Sequence, residues 1–62
     1  MKYEYFLAYN IKNGSGNRLI NSDELIDSIE DVRKIEKIIK EEENEKDLVI
    51  INWILLSTKP EN

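Results

Sequence analysis

The chain reads as a small α+β domain of the β-β-α-β kind, a three-stranded sheet in the order 2-1-3 with one helix packed on one face. Three observations predict this. The run Leu48 to Leu56, LVIINWILL, is polar only at Asn52 and is rich in β-branched and aromatic side chains, the signature of a buried strand. Residues 2–12 alternate, with Tyr3, Tyr5, Leu7, Tyr9 and Ile11 on one side and Lys2, Glu4, Phe6, Ala8 and Asn10 on the other. Between these lies a stretch whose isoleucines and valine recur at helical spacing.

Taken in order, residues 2–12 form the first strand. The stretch Asn13-Gly14-Ser15-Gly16-Asn17 offers residues that readily take positive φ, so a hairpin loop is expected over 13–17. A weaker second strand follows over 17–26, carried by Leu19, Ile20, Leu25 and Ile26, with the polar residues of an edge strand between them. The helix is placed at 29–43. Ile29, Val32, Ile35, Ile38 and Ile39 form its stripe, and Ser28 with Asp31 three residues on resembles a capping box. Asn44 suits a left-handed helix end, the last strand spans 48–57, and 58–62 make a loose tail.

Because the hairpin reverses the chain and the helix returns it, the last strand lies antiparallel beside the first, with a right-handed crossover expected. A single helix covers one sheet face. The other face then exposes either the tyrosine row with Trp53 or the set with Phe6 and Ile54, and such exposure marks a contact site.

With 62 residues the chain is one domain near the lower size limit for unaided folding. It has no cysteine and no histidine, which excludes disulfides and argues against a structural zinc site, and no metal or cofactor is expected. No nucleophile and base are suitably spaced among the remaining carboxylate, Lys, Tyr and Ser groups, so a non-enzymatic role is expected. Thirteen acidic against nine basic residues disfavour direct nucleic-acid binding. Arg33, Lys34, Lys37 and Lys40 interleave with acids as on a solvated helix face. No apolar run approaches the ~20 residues of a membrane span, and the amino terminus lacks a signal-peptide core, so a cytoplasmic protein is expected.

Two sets of residues are candidates for binding. Tyr3, Tyr5, Tyr9 and Trp53 supply aromatic anchors of the kind that dominate protein interfaces, and Glu41, Glu42, Glu43 and Glu45 form an acidic knob suited to a basic groove. The other is a ligand loop, Gly14, Ser15, Gly16 and Asn17 with Arg18 beside it, whose amides could cradle an anion. Asn52 inside the apolar run is a candidate for fixing register across an interface.

The opening YFLAYNI, the turn GSGN, the helix SIEDVRKIEKIIKE and the closing VIINWILL resemble small uncharacterised accessory proteins of phages and prophages of Gram-positive bacteria. That resemblance implies an anti-defence role, including the anti-CRISPR type, in which an acidic chain acts as a stoichiometric inhibitor of a host defence protein; the uncovered sheet face, for its part, leads us to expect a homodimer or higher oligomer. Two alternatives are a nucleotide-signal sponge that binds at the GSGN loops of an oligomer and a structural accessory protein of the virion.

Overall fold

The structure is a computed structural model and describes residues 1–60. Its elements are β1 (Lys2–Ile11), β2 (Gly14–Ser22), α1 (Ile29–Glu43) and β3 (Val49–Lys59). The strands form one antiparallel sheet in the order β2-β1-β3, an α+β domain with a single helix. Odd-numbered residues of β1 face the helix. Tyr5, Leu7 and Tyr9 join Ile26, Val32, Ile39, Leu48 and Ile50 in the core.

The hairpin differs from the expected loop. Lys12 and Asn13 alone make the turn, and Gly14 already pairs with Ile11, followed by Ser15 with Asn10, Gly16 with Tyr9 and Asn17 with Ala8. Neither glycine has positive φ, so the conformational freedom that marks GSGN as a turn goes unused and continued strand pairing lengthens the ladder. β2 then ends at Ser22 and not near residue 26. The Ser22 hydroxyl accepts from the Glu24 N–H at 3.2 Å and donates to the Glu24 carbonyl at 2.6 Å, bending the chain out of the strand. Ile26 is buried on the connection that follows, and its N–H donates to the Tyr5 Oη at 2.8 Å.

Both ends of α1 are closed by local chemistry. The Ser28 Oγ accepts from the Asp31 N–H at 3.2 Å, while Asp31 reaches back to the Asp27 N–H at 3.3 Å. At the far end Asn44 sits at φ 53, ψ 46. The Glu45 N–H donates to the Lys40 carbonyl at 3.0 Å and the Asn44 N–H to that of Glu41 at 3.4 Å, the double bond pattern of a Schellman cap.

The buried line of the helix is Val32, Glu36 and Ile39, and exposed Glu43 follows four residues on at the helix end. It corrects the all-apolar stripe, because Ile29 and Ile38 are exposed while Glu36 is buried. The sheet receives both acids: the Ile50 N–H donates to Glu36 Oε2 at 2.8 Å, and the Tyr9 hydroxyl donates to Glu43 at 3.0 Å.

β3 continues past residue 57, with Thr58 opposite Tyr3 and Lys59 opposite Lys2, where a loose tail was expected; residues 61–62 of that tail lie outside the described residues. Pairing with β1 slips twice, leaving Ile51 and Leu56 as extra residues. Each slip reverses the face that later residues occupy. Ile50, Trp53, Leu55 and Thr58 therefore share the helix side, and Asn52, Ile54 and Ser57 the open side.

Candidate functional site

Among the described residues no group of His, Cys, Asp or Glu is arranged to hold a metal ion, and no helix is long and apolar enough to cross a membrane.

The most exposed apolar element is β3. A buried strand was expected there, yet only Leu48, just before it, and Ile50 are buried; Ile51 is 55% exposed, Leu56 51%, Ile54 46% and Trp53 36%. The cause is position. β3 is an edge strand, and α1 is fastened to it at Ile50, where Glu36 takes the backbone N–H. Trp53 and Leu55 point to the helix side but lie beyond the helix's cover.

Of the two faces offered by the sequence, the open one is the set with Phe6 and Ile54. Leu19, Phe6 and Ile54 stand side by side across β2, β1 and β3. Polar rows flank them, Asn21-Glu4-Ser57 on one side and Asn17-Ala8-Asn52 on the other, so the apolar band on this face is narrow. The Asn52 amide is exposed and its Oδ1 accepts from the Trp53 N–H at 2.9 Å.

The predicted aromatic anchors divide. Tyr5 and Tyr9 are 3% and 7% exposed and act as core, with their hydroxyls pinning Ile26 and Glu43 to the sheet, so neither is free to contact a partner. Tyr3 is half-buried against the core, and Trp53 is the aromatic of this set left at the surface. Burial and the Glu43 hydrogen bond push the Tyr9 phenol above its ordinary value, with Arg18 pulling partly the other way.

The acidic knob is also altered by tertiary contacts. Arg18 on β2 reaches Glu42 at 3.2 Å and Glu43 at 3.3 Å, so two of its carboxylates already have a cationic partner, while Glu41 is exposed and Glu45 half-buried. Arg18 is thus a tie between β2 and the helix end, not part of a ligand loop. Gly16 has a structural part as well: the Tyr9 ring covers it so closely that a Cβ would lie 2.8 Å from Tyr9 Cε1. With Gly14, Ser15 and Asn17 in paired strand too, the expected anion-binding loop is not formed.

An open groove of about 520 Å³ runs between β2 and α1, lined by Arg18, Ile20, Ser22, Ile35, Ile38 and Glu42. On its helix wall Ile35 is half-buried against the core while Ile38 is exposed, and Ile20 of β2 packs against the core opposite. Compared with protein-family models, with curated proteins and with solved structures, the chain matches none.

Proposed function

We propose that this chain is a non-enzymatic binding protein of the phage accessory type, a stoichiometric inhibitor that occupies a functional surface of a bacterial defence protein in the host cytoplasm. The observation that carries the binding part is the exposure of large apolar side chains along β3 and on the open sheet face, where Leu19, Phe6 and Ile54 align. The resemblance of the strand, turn and helix segments to phage accessory proteins supports the class of partner.

The inhibition is steric, with burial of this apolar surface as the driving term. Acidity contributes through the net charge of −4 and through Glu41 and Glu45, while Glu42 and Glu43 are partly spent on Arg18. Carboxylates so placed compete with phosphate for Lys and Arg on a nucleic-acid enzyme, and raised salt weakens the complex. No observation favours the nucleotide sponge, whose loop is a paired strand. Co-purification with virions would mark the structural accessory role instead.

The test is phage plating on hosts that each carry one defence system and express this chain. Wild type is expected to restore plating on one of them, and the pair Ile51→Lys with Ile54→Lys to lose restoration while keeping the wild-type circular dichroism. If wild type restores none, the inhibitor reading fails; if the paired variant restores fully, the apolar surface is not the contact.

A further inference from the structure

We infer that the outer edge of β3 takes the same edge of a second copy of this chain, antiparallel about a two-fold axis at Ile54, joining two three-stranded sheets into one of six strands. This deepens the binding reading by naming what covers β3 and rests on that strand as a recognition element.

The two edges of the sheet differ in the way that decides the matter. β2 carries Asn17, Arg18, Asn21 and Ser22 between its few apolar residues, the polar marking that discourages strand addition. β3 carries no charge from Val49 to Thr58 and has no proline before Pro60. A chain of net charge −4 repels its own copy over most of its surface, and this uncharged strand is where two copies can approach without that cost.

Area points the same way. The exposed fractions of the large apolar residues along β3 leave on the order of 500 Å² in water, shared between the two faces that flank this edge, against ~800 Å² per partner in a stable interface. The region is also self-complementary, as a two-fold contact requires. Between the two bulges the residues Asn52 to Leu55 pair regularly with β1. An axis at Ile54 sets Ile54 against its own copy on the open face and Trp53 against the second copy's Leu55 on the helix side, with no like charges opposed. The Trp53 N–H, held at 2.9 Å by Asn52 Oδ1, is a donor that this pairing would recruit. The apolar row Leu19, Phe6 and Ile54 then continues into its copy, doubling the open-face band available to a third protein.

Sedimentation equilibrium at tens of micromolar is expected to give about twice the 7.3 kDa chain mass, and Ile54→Lys to give a monomer with an unchanged helix signal. Opposed Cα atoms in an antiparallel ladder are ~4.5–5.5 Å apart, within disulfide reach, so Ile54→Cys in this cysteine-free chain should crosslink to a covalent dimer under mild oxidation. Leu19→Cys, 58% exposed on β2, is the control and should form no covalent dimer. A wild-type mass of one chain, a mass above two, or equal crosslinking through Leu19→Cys overturns the inference. Failure here with plating still restored leaves the inhibitor reading intact, and a dimer that never restores plating removes that reading alone.

Discussion

Replacing Glu36 with alanine tests whether a buried carboxylate fastens the helix to the sheet. Its Oε2 accepts the Ile50 N–H at 2.8 Å and the Arg33 guanidinium at 2.6 Å, and the residue is 7% exposed. Arg33 is half in solvent and can return to water at little cost, so the loss is concentrated at Ile50. That residue is 4% exposed, and its N–H loses its carboxylate partner. A charge-assisted bond of this kind is worth ~1.5–3 kcal/mol, and an orphaned buried donor costs the same order, so Glu36→Ala should destabilise by about 2–3 kcal/mol. For a domain this small that lowers the melting temperature by roughly 10 °C or more. Glu36→Gln keeps an acceptor and should lose less than half as much. Thermal and urea unfolding by circular dichroism read both variants. A Glu36→Ala protein melting within a degree or two of wild type would mean that water replaces the carboxylate and that the helix is held by apolar packing alone.

Gly16→Ala drives a methyl into the Tyr9 ring and should destabilise by about 1–3 kcal/mol in urea unfolding, whereas Gly14→Ala, with nothing within 4 Å, should be near neutral. The Tyr9 phenol, raised by burial and by Glu43, keeps its proton in the folded chain when the unfolded chain has lost it. Its contribution is therefore complete below about pH 10 and fades as pH rises further; Tyr9→Phe should flatten that alkaline decline in a pH series of melts. Asp31 lies below the ordinary carboxylate range because the Asp27 backbone N–H, with Ser28 and Lys34, favours its charge. Its contribution holds above about pH 4 and is lost as pH falls through the lowered value, so Asp31→Asn should weaken the acid dependence of helix content.

Local chemistry made much of the fold legible. Ser28 with Asp31 starts the helix and Asn44 ends it, because caps are satisfied by residues three or four apart and need nothing from the rest of the chain. The alternation of β1 and the apolar β-branched run near the carboxyl end likewise marked strands, and the connection lengths left 2-1-3 as the natural order.

Which side chains meet was decided elsewhere. Glu36 lies on the buried line of the helix, where no apolar count finds it; only the Ile50 N–H delivered by a distant strand makes an acid welcome there, while exposed Glu43 meets the Tyr9 phenol at the helix end. One extra residue in β3, Ile51, turns Trp53 and Ile54 to faces that strict alternation from Ile50 would not assign, since one slipped pair reverses the strand beyond it. The glycines at 14 and 16 carry turn chemistry in their own composition, yet pairing with β1 draws them into the ladder and the Tyr9 ring uses the missing Cβ. The sequence alone therefore determined the kinds of element and their order, because these follow from neighbours a few residues apart. Tertiary structure determined the register, the buried acid and the exposed edge, because each depends on a partner brought from across the sheet.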